Sequence, residues 1–188
     1  MVNELPKGAN ASLTREIPGL RGIVIGIDWD PGAEHVLADA LTLLTILCDE
    51  RGKALSDDHV VYFNQLVSAD LSTVQLQELM GQDDEQLEID LSAVPPEVDR
   101  IVVIVYINEG VAGRRTLGQL RRCTLRVLNQ DGGGLLVQTV DLSQGLDSET
   151  AVSLGQVYRR GAEWKFKALG SGYSTGLAGV AKDFGVAL

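Results

Sequence analysis

The side chains best suited to chemistry in this sequence are carboxylates. Asp28-Trp29-Asp30 ends a strongly apolar stretch, Asp57-Asp58 stands just before Val60, and Asp83-Asp84-Glu85 follows Gly81. Hard cations such as calcium take about six to eight oxygens, drawn from carboxylates and carbonyls on flexible loops. Acids at several strand ends could converge on one such ion. The sequence has no DxDxDG string of the EF-hand type, so spacing alone reads these groups as the acidic loops of an acidic chain.

Other reactive residue types point less clearly to a site. His35 and His59 stand in polar surroundings with no HExxH or nucleophile motif beside them, and read as ordinary loop histidines. No serine sits in a GxSxG elbow. Cys48 and Cys123 fall inside apolar runs without CxxC or Cys/His spacing, which disfavours zinc and suggests buried, unreactive thiols. Residues 170–176 (GSGYSTG) follow a strand pattern and open a helical one, the arrangement in which backbone amides cradle a phosphate. Their spacing is GxGxxxG and no Lys-Ser/Thr pair follows, so a tight turn into a terminal helix is the stronger reading. The residues thus predict no enzyme.

These groups must be held by a frame, and its character follows from composition and pattern. The chain has 188 residues, 16 Lys and Arg against 26 Asp and Glu, a formal charge of −10, and 45% hydrophobic residues. That length suits one domain spanning 1–188. The charge argues against a nucleic-acid surface and against polybasic attachment to anionic lipid, and leaves cations as natural partners. No apolar run reaches the roughly 20 residues of a membrane span, and residues 1–20 lack the apolar core of a secretion signal, so a cytoplasmic protein is expected.

Short strand-like runs dominate. Residues 22–29 (GIVIGIDW), 60–63 (VVYF), 87–91 (LEIDL), 101–107 (IVVIVYI), 123–128 (CTLRVL), 135–142 (LLVQTVDL), 151–158 (AVSLGQVY) and 164–169 (WKFKAL) are apolar or alternate with period two. Gly-bearing turns at 131–134 and 160–163 separate some of them. The run at 101–107 is apolar throughout and belongs in mid-sheet, covered on both faces. In 164–169 the alternation puts Trp164 and Phe166 on the core face and Lys165 and Lys167 on the other; Trp29 is likewise expected in the core. The pattern predicts an all-β fold, a β-sandwich or a barrel. Residues 37–48 (LADALTLLTILC) fit a strand or a buried helix, with strand favoured. A short helix is expected around 72–80 (STVQLQELM), where Ser72 and Gln75 have capping-box spacing and Gly81 follows as a stop. A C-terminal helix is expected around 175–184, with Leu177, Val180, Ala181 and Phe184 on one face.

Several motifs, in order along almost the whole chain, carry a family likeness. They are Lys7-Gly8-Ala9-Asn10, Leu13-Thr14, Gly26-Ile27-Asp28-Trp29-Asp30, Gly52-Lys53, Ser56-Asp57, Tyr62-Phe63-Asn64-Gln65, Gly81-Gln82-Asp83-Asp84-Glu85, Val94-Pro95 and Val98-Asp99. The C-terminal part adds Tyr158-Arg159, Glu163-Trp164-Lys165-Phe166, Gly172-Tyr173, Gly176-Leu177 and Phe184-Gly185-Val186. The chain resembles the TerD family of tellurium-resistance and stress-response proteins. The resemblance implies a two-sheet β-sandwich, no known catalytic activity, calcium held by loops at one end, a bacterial cytoplasmic setting and protein partners in a stress response.

The chain departs from the family pattern where the metal would bind. A glycine- and acid-rich loop of the form GDNxTGxGxGDDE is replaced over most of its length by 71–80 (LSTVQLQELM), and only Gly81, Asp83, Asp84 and Glu85 match its end. The family's acidic DLDAS-like segment aligns on Ala40-Leu41-Thr42, where its aspartates are missing and Asp39 is the nearest acid. The residual calcium ligands implied are Asp83, Asp84, Glu85, Asp30 and Asp70, enough for a weak or partial site, since a capped helix at 72–80 would lock its carbonyls in its own hydrogen bonds. The leading expectation is a non-enzymatic binding module with a degraded calcium site. The alternatives are a calcium-regulated module of the same kind, and a phosphate- or nucleotide-binding protein or enzyme built on the 170–176 turn.

Overall fold

The computed structural model describes residues 4–111 and 113–188. Its core is a pair of antiparallel sheets packed face to face. One sheet contains β1 (Asn10–Ser12), β3 (Leu41–Cys48), β4 (Val60–Val61), β7 (Arg100–Ile107), β10 (Ala151–Arg160) and β11 (Glu163–Tyr173), in the order β1-β11-β10-β7-β3-β4. The other contains β2 (Gly22–Asp30), β5 (Thr73–Leu76), β6 (Glu85–Asp90), β8 (Arg122–Asn129) and β9 (Leu135–Gln138), in the order β5-β6-β2-β8-β9. The expected sandwich is present.

Alternation explains which side chains fill it. Ile23, Ile25, Ile27 and Trp29 of β2 turn inward with Cys123, Leu125 and Val127 of β8, and meet Ile101, Val103, Val105 and the buried Phe166 of the facing sheet. The intervening residues of β7, Val102, Ile104 and Tyr106, pack on the outer side. There α1 (Gly176–Phe184) covers them with Val180 and Phe184, which is why the 101–107 run is apolar on both faces. The expected C-terminal helix is therefore present and docked, and Gly185 ends it in the left-handed conformation that a C-terminal stop requires. In 37–48, the strand reading holds for β3, with one short 3₁₀ turn at His35–Ala38 before it.

The helix expected around 72–80 is corrected: residues Thr73–Leu76 form edge strand β5, paired with β6 through Thr73↔Ile89 and Leu76↔Gln86. The capping-box residues are otherwise engaged. The Ser72 hydroxyl donates to Asp70 Oδ1 at 2.6 Å, and the Gln75 side-chain amide donates to Glu85 Oε2 at 3.4 Å. An isolated short helix starts with an unfavourable nucleus, whereas an edge strand gains ladder bonds and buries Thr73 and Gln75. Carbonyls of this segment are engaged all the same: Ser72 O and Thr73 O accept the Asp90 and Ser68 amides, and Met80 O accepts from Gln86 Nε2.

Candidate functional site at the acidic end of the sandwich

β2 ends, and β6 and β8 begin, at the same end of their sheet. That geometry gathers Asp28, Asp30, Asp83, Asp84 and Glu85. On β2 the inward Ile27 and Trp29 leave Asp28 and Asp30 on the outer face, as does Gly26 two residues earlier. On β8 the same alternation sets Arg122, Thr124 and Arg126 on that outer face. The register then places Arg126 opposite Gly26 and Arg122 opposite Asp30.

The outcome is a set of acid–arginine pairs. Asp83, 8% exposed, accepts from Arg126 Nε at 2.9 Å and Nη2 at 2.8 Å, and from Gln86 Nε2 at 2.7 Å. This two-pronged contact matches the planar guanidinium to the carboxylate, and the hydrogen bond to Asp83 raises Arg126 above its ordinary pKa. Arg122 pairs with Asp28, and Arg121 Nη1 lies 3.3 Å from Asp30 Oδ2. The Asp83 carboxylate rests directly on Gly26: a Cβ there would stand 2.0 Å from Asp83 Oδ2. Glycine is what lets the acid lie flat over the strand.

Asp84 serves a different contact. Its Oδ2 accepts the Trp29 amide at 2.8 Å, while its own amide donates to Ile27 O. Trp29 is buried, and its ring nitrogen donates to Ala38 O at 3.2 Å, so Asp84 helps to anchor a core residue. Burial, with Asp28 and Asp83 nearby, pushes the Asp84 carboxyl above its usual value against the Trp29 hydrogen bond. Glu85 is also pushed up, by burial and by Asp84.

Asp70 is not part of this group. It lies before the Thr73 end of β5, away from the end where β6 begins at Glu85. Its Oδ1 accepts from the Ser68 hydroxyl and from the Ser72 hydroxyl and amide. Burial alone would raise its pKa, but these donors, with His59 nearby, hold it below the ordinary value. His59 in turn joins Ser56 at 2.7 Å through Nδ1 and approaches Asp70 at 3.8 Å through Nε2. Among the described residues no three His, Cys, Asp or Glu side chains are grouped so as to hold one metal ion. The five acids implied as calcium ligands therefore do not fit a compact ion as a set.

The remaining reactive types have structural settings. Cys48 and Cys123 are buried, and burial pushes both thiols up to about 12. In the 170–176 segment, Gly170 to Tyr173 belong to β11, and a Cβ on Gly172 would meet Glu149 Cγ at 2.4 Å and Leu146 Cδ2 at 2.9 Å. An acidic side chain and a leucine fill the space beside that glycine.

Sequence reasoning missed Arg121, Arg122 and Arg126. The polar positions of the CTLRVL run hint that Arg126 faces outward, but its partner Asp83 is 43 positions away and Arg122 is 94 positions from Asp28. A second feature also went unseen. At this end of the sandwich lies an open cleft of about 580 Å³, lined by residues of both sheets and of α1, Asp39, Phe63, Gln75, Glu85 and Glu109 among them.

The TerD domain family profile matches residues 1–184. The chain is 35% identical over 186 residues to "Tellurium resistance protein TerD" of Serratia marcescens, covering 97% of this chain and 96% of that one. It is 35% identical over 195 residues to "General stress protein 16U" of Bacillus subtilis (strain 168), covering 99% and 98%. A crystal structure of the unknown-function protein SAV2460 superposes with a TM-score of 0.68 at 25% identity, over 90% of this chain and 99% of the other. A homologue of telluride resistance protein (TerD), SCO6318 from Streptomyces coelicolor A3(2), superposes with a TM-score of 0.65 at 18% identity, over 87% and 96%, and supports the fold.

Proposed function

The chain belongs to the TerD domain family, and from that premise we propose that it is a non-catalytic binding module of a bacterial tellurium-resistance and stress-response system, its calcium site replaced by arginine pairing. The observation that carries this reading is the two-pronged Arg126–Asp83 contact, joined by Arg122–Asp28 and Arg121–Asp30. The Arg126 guanidinium already neutralises the buried Asp83, so a divalent ion there would have to displace a cation tied to the fold, while the more exposed Arg121 and Arg122 add a weaker screen at Asp30 and Asp28. The names of the relatives, tellurium resistance and general stress, support the setting. The buried thiols and the structural use of His59 and Asp70 favour binding over catalysis. The net charge of −10 favours protein partners over nucleic acid or anionic lipid, and among the described residues no helix is long and apolar enough to cross a membrane.

The test is a thermal melt of chelator-treated protein with millimolar calcium, and with magnesium as the control. A ligand present at a hundred times its Kd stabilises by about 2.7 kcal/mol, which is about 5–11 °C for a chain of this size. The proposal expects equal melts in both salts. A calcium-selective rise of several degrees favours the calcium-regulated alternative.

A further inference from the structure

We propose that the cleft at the end of the sandwich, at Glu85 and Gln75, is a binding site for an alkylammonium group, a primary amine on an aliphatic stem. The inference goes beyond the binding role above, because it concerns acids that the arginines do not reach. Asp39, Glu85 and Glu109 line this cleft and no basic side chain does. None of the three forms an ion pair among the described residues. That contrasts with Asp28, Asp30 and Asp83 on the outer face of the β2 sheet, each of which has its arginine.

A second, independent observation points to a missing donor. Gln75 is 7% exposed, and its Oε1 is buried without a hydrogen-bond partner among the described residues. Its Nε2 is turned to Glu85, which orients the amide and leaves the carbonyl oxygen as the free acceptor. A buried acceptor without a partner is costly, and a ligand N–H relieves that cost.

The shape selects the kind of cation. Acids at Asp39, Glu85 and Glu109 do not group closely enough to ligate one metal ion. An ammonium needs no such shell: it donates three hydrogen bonds, here to Gln75 Oε1 and Glu85 first, and its stem needs apolar contact. Leu41, Leu177 and Phe63, the last 57% exposed, line the cleft and supply that contact. A second ammonium on the same stem would find Asp39 and Glu109 at the exposed mouth. Two sources share this chemistry, a free diamine and a lysine side chain of a partner.

The test is calorimetric titration of the full chain with cadaverine and, separately, with N-acetyl-lysine amide, each against sodium chloride at matched ionic strength. Saturable binding of either amine is expected, and the tighter arm identifies the source. Glu85→Gln should weaken it roughly tenfold, in line with loss of one charge-assisted hydrogen bond. Phe63→Ala should weaken it a few-fold, and Asp131→Asn, in the β8–β9 turn at the far end of that sheet, should leave it unchanged. No heat beyond the salt control overturns the proposal, as does binding that Glu85→Gln leaves intact. So does calcium that displaces the amine at lower concentration, which would mark the cleft as a metal site. Failure of amine binding leaves the arginine-paired reading standing, since that reading is judged by the calcium melt alone.

Discussion

Replacing Gly26 by alanine tests whether the arginine-held acid is a structural element. The added Cβ would stand 2.0 Å from Asp83 Oδ2 and 2.6 Å from Cγ, where ordinary contact begins at 3.4 Å. The carboxylate must therefore move by about 1.4 Å (3.4 − 2.0), well outside hydrogen-bonding tolerance. It cannot do so while keeping Arg126 at 2.8 and 2.9 Å and Gln86 at 2.7 Å. Breaking a fully buried pair costs about 3–5 kcal/mol. The Arg126 side chain is 34% exposed and can recover water, so about 2–3 kcal/mol is the better figure here. Alanine in a strand returns about 0.5–1 kcal/mol through the unfolded chain, leaving a net loss near 2 kcal/mol. At about 2–4 °C per kcal/mol the melting temperature should fall by about 4–8 °C. The assay is a calorimetric melt at pH 7 in two backgrounds, wild type and Asp83→Ala. In the second background the cost should vanish, because the clashing group is gone. An unchanged melt for Gly26→Ala alone, or the same loss in both backgrounds, would refute the reasoning.

Other expectations concern single groups. Glu85 has a raised folded-state pKa, so its ionised form disfavours the fold at neutral pH and its protonated form does not. Glu85→Gln should therefore melt at or above wild type at pH 7, the gain vanishing as pH falls through the raised pKa; a less stable variant at pH 7 contradicts that sign. Asp70 is the opposite case: its lowered pKa contributes stability above the usual carboxylate range, lost on acidification. Asp70→Asn should lower the melt at pH 7 and converge with wild type in acid, and parallel pH curves would refute this. Leu71 is exposed and holds φ at +65°, so Leu71→Gly should stabilise by up to about 1 kcal/mol; a clear loss in denaturant titration would show that the side chain has a packing role. Cys48 and Cys123 should be unreactive to a thiol reagent in the native protein and both titrate in denaturant, because burial keeps them protonated.

The local pattern was enough to read most strands, an all-β fold and the terminal helix, because strand alternation and helix faces repeat over two to four residues. It also placed Trp164 and Phe166 in the core, both buried here, and opposed them to Lys165 and Lys167. The family likeness needed only ordered motifs. Residues 72–80 misled because Ser72, Gln75 and Gly81 carry helix-end signals, while the advantage of a strand comes from β6, which local spacing does not reveal.

The site was beyond local pattern for the same reason. Asp83, Asp84 and Glu85 stood out as residues, but whether they face a metal or an arginine depends on the register of β2 against β8, roughly a hundred positions apart in the chain. The same register decides why position 26 is glycine. The cleft draws on residues from Asp39 to Leu177, and the free carbonyl of Gln75 exists only because β5 forms an edge strand. The sequence by itself determined the strands, their inward faces and an acid-rich surface. Only the tertiary structure decided which acids have a counter-charge, because pairing across strands is set by long-range register and burial.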